Sequence, residues 1–278
     1  MRESDLISDQ TRRAHQDACC DPVFNWQDRQ DFEFASRGLI CRPDDRDIRD
    51  ADGDIVWHHE QFEAFLHGEA PATVHPSLWR HALLNNYRGL FKVCEGVWQV
   101  RGESLGNATF VQTDTGYICI DPLTTVETAR YAVELLYEHV GKRPIVGMIY
   151  SHTHSDHFGG VKGMITVEDV AKGRCLVVAS EGFTEWVLKE QGMAAEGMPS
   201  RNDYMYGENL EVSATGIVDT GLGQMIEGGK VTYIEPTDVI GTQGGVMVID
   251  GVEIEFMFAP GEAPTGMHCY FPKHKLLH

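Results

Sequence analysis

Nowhere in its 278 residues does the chain carry an apolar run near the about 18 residues that a membrane-crossing helix needs, and its start shows acids rather than an apolar leader core. Neither a membrane span nor a secretory signal is expected. Positive charge is also scarce, with 23 Lys and Arg against 42 Asp and Glu and a net charge of −19. A field of that sign repels phosphate backbones and anionic headgroups, which argues against nucleic acid as a partner. An anionic substrate would have to be drawn in by local cations, such as metal ions. Cysteines are present but badly placed for cross-linking. There are seven (Cys19, Cys20, Cys41, Cys94, Cys119, Cys175 and Cys269), and the only close pair is adjacent in sequence, a poor disulfide geometry. Reduced thiols and a cytoplasmic location follow as expectations.

What is present is a hydrophobic fraction of 42%, enough for a folded α/β or α+β protein. Residues 1–86 read as an N-terminal arm packing on a main domain over 87–278. The arm is polar and charge-dense, with surface turns over 42–47 and 51–54 and a short strand at Val56-Trp57. Asp52-Gly53-Asp54 lacks the twelve-residue ligand pattern of a calcium loop and reads as a β-turn. His58, His59, His67, His75 and His81 are isolated, and such histidines are mostly solvated or hydrogen-bonded, so they are left out of the site.

From Tyr87 the pattern becomes short alternating runs. Strands are predicted over 90–100, 108–112 and 117–121, then a helix capped by Thr124 or Thr125 and running to Val140, with Gly141 as its stop. Residues 145–150 read as a buried strand. A helix after Gly160, a strand over 174–179 and a helix over 184–191 continue the alternation. Residues 192–229 show little periodicity and suggest long loops lining a cleft. Strands return at 231–234, 246–249 and 252–258, the last two joined by an Asp250-Gly251 hairpin turn.

The densest chemistry is Ser151-His152-Thr153-His154-Ser155-Asp156-His157-Phe158-Gly159-Gly160, three imidazoles and a carboxylate within six residues, directly after the strand over 145–150. In an extended segment residues two apart point the same way, so His152 and His154 can grip one ion, while Asp156 and His157, past the turn, can reach a second. A polar loop of solvated histidines is the competing reading, and the density of ligand-type side chains argues against it.

This stretch resembles the HxHxDH signature of metallo-β-lactamase-fold hydrolases. The flanking segments are similar to one branch, the linear alkyl sulfatases. The elements that carry this are Asp121-Pro122-Leu123-Thr124-Thr125, Tyr204-Met205-Tyr206-Gly207, Gly221-Leu222-Gly223 and Pro260-Gly261-Glu262-Ala263-Pro264. The resemblance implies an α/β fold, the metallo-β-lactamase-like αββα sandwich, incomplete at the C-terminus. It also implies two Zn2+ per complete site, His152, His154 and Glu262 holding the first and Asp156 and His157 the second. Zinc-activated water would hydrolyse an alkyl sulfate such as dodecyl sulfate to alcohol and sulfate, with Asp156 orienting the water or accepting its proton. The Pro-Gly-Glu element is one residue shorter than the family's Pro-Gly-Thr-Glu. The family's bridging glutamate, last metal histidine, sulfate-binding arginine and dimerisation region would fall beyond His278, so the chain reads as the N-terminal part of a homodimeric enzyme. A thioesterase or lactamase on the same fold, or an inactive binding remnant, are the alternatives.

Overall fold

The computed structural model describes residues 7–44, 47–193, 197–225 and 227–278. Part of the acidic start (residues 1–6), two residues of the turn expected over 42–47 (Asp45 and Arg46), and 194–196 and 226 within the expected loop stretch lie outside the described residues.

The arm is more regular than the sequence reading held. It contains α1 (Asp9–Cys20), α2 (Gln30–Ser36), β1 (Leu39–Cys41), β2 (Asp47–Arg49), β3 (Ile55–His58), α3 (Glu60–Glu63) and α4 (Pro76–Asn85). Phe62, Leu66, Val74, Trp79 and Ala82 form a small core there, which Val218 from much later in the chain completes. The Asp52-Gly53-Asp54 turn closes as expected, with Asp50 Oδ1 accepting from the Asp52 and Asp54 amides.

The main sheet follows with β4 (Gly89–Cys94), β5 (Val97–Arg101), β6 (Ala108–Gln112) and β7 (Tyr117–Ile120), then α5 (Val126–His139) and β8 (Ile145–Ile149). The single strand expected over 90–100 is therefore a hairpin, folded at Glu95-Gly96, where Gly96 takes the left-handed φ of 77° that a tight turn needs. Further on come α6 (Val167–Ala171), β9 (Leu176–Ser180), α7 (Phe183–Leu188), α8 (Met198–Tyr206) and β10 (Asp238–Ile240). Helix α8 lies where loops were expected. Residues 231–234 are no strand: the Thr232 amide bonds Gly159 O at 2.7 Å and Ile234 O accepts from the Tyr150 hydroxyl at 3.1 Å, so their polar groups serve the metal-loop side rather than a ladder.

β1 and β4–β10 form one eight-stranded sheet in that order, antiparallel up to β7 and parallel from β7 to β10. The chain closes with β11 (Gly245–Ile249), β12 (Val252–Phe258), β13 (Met267–Phe271) and β14 (Leu276–Leu277), a four-stranded sheet. The period-2 geometry of strands sorts the side chains. Phe110, Cys119, Met148 and Val177 face Ala132, Val133 and Leu136 of α5 and its neighbours. Val111, Ile118, Ile149 and Val178 face Ile249, Ile254, Phe256 and Phe271 of the second sheet. Burial on both faces explains why these strands read as continuous apolar runs. The layers are helix, sheet, sheet, and the outer face of the smaller sheet presents exposed Val246, Val248 and Met257.

Candidate metal centre

The site is built at the C-terminal ends of β7 and β8, where parallel strands stop together. After β7 the chain turns sharply at Asp121 and Leu123, which have φ of 57° and 63°. Asp121 is 2% exposed. Its carboxylate accepts from the Ser151 amide at 2.8 Å and hydroxyl at 2.6 Å, and lies 2.7 Å from His157 Nδ1. Thus the end of β7 fixes both the start and the finish of the histidine loop.

Close backbone approach holds the loop in place. A Cβ on Gly159 would sit 2.2 Å from Thr124 O, and one on Gly160 2.2 Å from Pro122 O. From the opposite side Gly106 presses on the loop, since a Cβ there would stand 2.5 Å from Asp156 O. The glycines after His157 are therefore contact surfaces for the Pro122–Thr125 turn, not merely flexible points.

His152 Nε2 and His154 Nδ1 lie 3.2 Å apart. Glu262, in the β12–β13 connection, brings Oε1 to 3.4 Å from His154 Nδ1 and Oε2 to 3.9 Å from His152 Nε2, while remaining 66% exposed. One ligand atom from each of the three fits within a 4.8 Å span. The connection is tied over the loop by the Met267 amide, which donates to Ser151 O at 2.9 Å. His157 belongs to a second group: its Nε2 lies 3.1 Å from Asp156 Oδ2, and its ring centroid is 4.0 Å from that of His152. Of the five residues singled out in the sequence, His152, His154 and Glu262 converge in one group, and Asp156 and His157 lie against each other beside it.

Electrostatics separate the sets further. Burial, aided by the charge of His157, pushes His152 down to about 4, so it is a neutral imidazole with a free lone pair, the state a metal needs. Burial also opposes charge on His157, but the charges and hydrogen bonds of Asp121 and Asp156 overcome it and raise His157 to about 10. Both carboxyls are held below the ordinary range by His157, against the effect of their burial. Two imidazoles and a carboxylate suit a borderline divalent ion such as zinc, with a coordination position left over. Around His157 the proton plays the part of a cation between two carboxylates, so an ion there would take Nε2 and Asp156 while Asp121 kept Nδ1 oriented. Asp121, which orders the loop by bonding Ser151 and His157, is a residue that the sequence does not single out, since Asp-Pro at a strand end also makes an ordinary turn.

Comparison with known proteins bears on the same residues. The family model described as the metallo-beta-lactamase superfamily matches residues 101–278, a span that contains every side chain named in the site. An alkyl/aryl-sulfatase from Saccharomyces cerevisiae is 42% identical over 91% of this chain and 39% of its own length. A linear primary-alkylsulfatase from Pseudomonas sp. is 41% identical over 91% of this chain and 38% of its own. The solved structure of a stereoselective inverting sec-alkylsulfatase from Pseudomonas sp. superposes with a TM-score of 0.91 at 38% identity, covering 97% of this chain and 42% of that one. The chain spans about two fifths of the length of these relatives. With two sheets face to face, candidate ligands at the strand ends and the HxHxDH loop in place, the chain belongs to the metallo-beta-lactamase superfamily.

Proposed function

We propose that this chain carries the metal-binding half of an alkyl sulfatase active site, which hydrolyses an alkyl sulfate to the alcohol and inorganic sulfate. The observation that supports it most is the convergence of His152, His154 and Glu262 in a chain 41% identical to a linear primary-alkylsulfatase. Zinc is the ion of choice, two per complete site, with His152, His154 and Glu262 on the first and Asp156 and His157 on the second. Bound divalent metal would supply positive charge for the sulfate and acidify a water. Asp156 stays ionised beside His157 and is placed to orient that water or take its proton. Asp121 and Ser151 keep the His157 ring in position.

Three protein ligands against two means that this chain holds about one zinc firmly and a second weakly. Metal analysis of the purified chain after dialysis, together with sulfate release from dodecyl sulfate, tests the reading. We expect roughly one tightly held zinc, slow turnover, and loss of both in His152→Ala; tight binding of two ions with efficient turnover would overturn the ligand count, and no metal at all would overturn the site. Because one relative is described as inverting, we also carry over attack at carbon, with C–O cleavage. Hydrolysis of a chiral secondary sulfate in 18O-water should then label the alcohol and invert its configuration, whereas label in the sulfate would mean S–O cleavage.

The compartment we propose is the cytoplasm, since all seven cysteines stand as free thiols, as a reducing environment requires. No helix among the described residues is long and apolar enough to cross a membrane. A homodimer is proposed for the complete enzyme by analogy with its family, and a sedimentation measurement would decide it.

A further inference from the structure

Glu227 is a buried carboxylate that no step of the proposed reaction uses. It is 8% exposed and belongs to the stretch over 192–229, far in sequence from the histidine loop. Its hydrogen-bond partners are all neutral. Oε1 accepts from the Ser104 hydroxyl and lies 3.4 Å from Thr128 Oγ1, and Oε2 accepts from the Leu105 amide at 2.9 Å. The Ser104 hydroxyl is in turn 3.2 Å from that of Thr124. Burial pushes the Glu227 carboxyl up, and these donors pull against it. A buried carboxylate held by neutral donors alone is costly, and its removal would leave those donors without an acceptor.

The bonds join the two walls that enclose the histidine loop. Ser104 and Leu105 lead straight into Gly106, where an added Cβ would stand 2.5 Å from Asp156 O. Thr124 and Thr128 belong to the opposite wall. A Cβ on Gly159 would sit 2.2 Å from Thr124 O, the Gly160 amide donates to Leu123 O at 2.9 Å, and Thr128 stands in the first turn of α5, whose N-cap is Thr125. The segment from Asp156 to Gly160 is thus pressed from one side at its start and from the other at its end, and one carboxylate spans both sides.

We propose that Glu227 is a positioning residue for the metal centre: it clamps the Ser104–Gly106 segment to the start of α5, and the closed clamp keeps Asp156 and His157 in place for the second ion. The inference rests on the proposed metal centre for its purpose, while the clamp itself can be read without metal. The first ion's group is tied elsewhere, His152 Nδ1 lying 3.0 Å from Ser151 Oγ and the Met267 amide donating to Ser151 O, so it should be indifferent to the clamp.

The test is amide hydrogen exchange on the full, metal-free chain, followed by titration with Zn2+ alone. Glu227→Gln keeps the shape of the side chain but replaces one of its two acceptor oxygens by a donor. The amides of His157, Gly159 and Gly160, which bond within the loop and to Leu123 O, should then exchange about ten-fold faster, while those of β7 and β8 keep their rates. The second zinc should bind about ten-fold more weakly, and the first should stay within about two-fold of its original affinity. Ser104→Ala cuts the same clamp at its other end, and should reproduce both effects in smaller measure even if the glutamate variant folds poorly. The double variant should fall short of the sum of the two, because both act through one bond. Unchanged exchange over 157–160 in both variants, equal weakening of the two zincs, or faster exchange throughout the sheet in Ser104→Ala would each overturn the proposal. A loop that loosens as expected in a chain that takes up no zinc would strike the metal-centre reading and leave the clamp standing, whereas full zinc uptake with an unmoved loop would do the reverse.

Discussion

At the scale of single residues the histidine loop was legible because ligand-type side chains at a spacing of two or less have few other uses. Asp121 was not, because an aspartate before proline at a strand end is also what an ordinary turn contains. Its role shows only when β7 and β8 are paired and its carboxylate meets Ser151 and His157. In metal-free protein, Asp121→Asn should therefore let His157 fall from about 10 toward its ordinary 6.5, read by NMR titration of the ring. The sign for stability follows. A histidine whose folded value is raised contributes stabilisation that is complete below 6.5 and lost as pH rises through about 10. Asp121 and Asp156, held low, contribute above the ordinary carboxylate range and lose it as acid protonates them. Urea midpoints of the metal-free chain should accordingly decline on the alkaline side as pH approaches 10, and in Asp121→Asn, where only Asp156 still raises His157, this decline should shrink and begin at lower pH. A decline unchanged in the variant would place the titrating group elsewhere.

Among the elements, those with strong local punctuation were readable. α5 begins at a capping box, with the Thr125 and Thr128 side chains and amides satisfying one another, and ends just before Gly141, so both boundaries were visible in the sequence. The β4–β5 hairpin was hidden because Glu95-Gly96 is embedded in a continuous run of alternating apolar and polar residues, and 231–234 misled because β-branched residues predict a strand whatever accepts their amides. The short β10 and the strand β13 were missed for the opposite reason, having weak alternation and depending on β9 and β12 for their existence. Packing between elements makes a steric prediction at Gly160, whose φ of −82° any residue can adopt. A Cβ there would lie 2.2 Å from Pro122 O and 2.6 Å from the Ala129 Cβ. Gly160→Ala should therefore destabilise the fold by about 1–3 kcal/mol through overpacking, with no backbone-strain component. Chemical denaturation gives the number, and an unchanged midpoint would mean that the Pro122–Thr125 turn can retreat.

At the scale of the whole molecule, the sequence does not reveal what fastens residues 1–86 to the rest of the chain. β1 of that segment pairs with β4 at the edge of the main sheet, and a buried polar cluster adds to the fastening: Glu103 lies 2.8 Å from His59 and 3.2 Å from Arg88, and Arg88 reaches Glu63 at 3.1 Å. His59, Arg88 and Glu103 are each at most 3% exposed. No composition argument finds such a cluster, because its members come from separate segments and each alone looks like a surface residue. Glu103→Ala would take one carboxylate from the buried His59 and Arg88 while Arg88 keeps Glu63, so it should destabilise by about 1–3 kcal/mol. The arm should then loosen first, seen as faster amide exchange in α3 and α4 than in β6 to β8. Uniform exchange across the molecule would mean that the arm and the sheet unfold as one unit.

The small core of the arm, in which Val218 closes over Phe62, Trp79 and Ala82, has a consequence for synthesis. Chains generally fold from the N-terminus as they emerge from the ribosome. Here the segment that carries Phe62 and Trp79 cannot complete its core as it emerges, and must wait with both uncovered while the entire histidine loop and the helices after it are made. That core closes only once Val218 is free of the exit tunnel. Residues 62–82 are translated well before they can become native, so they present a hydrophobic surface that needs chaperone protection on the nascent chain.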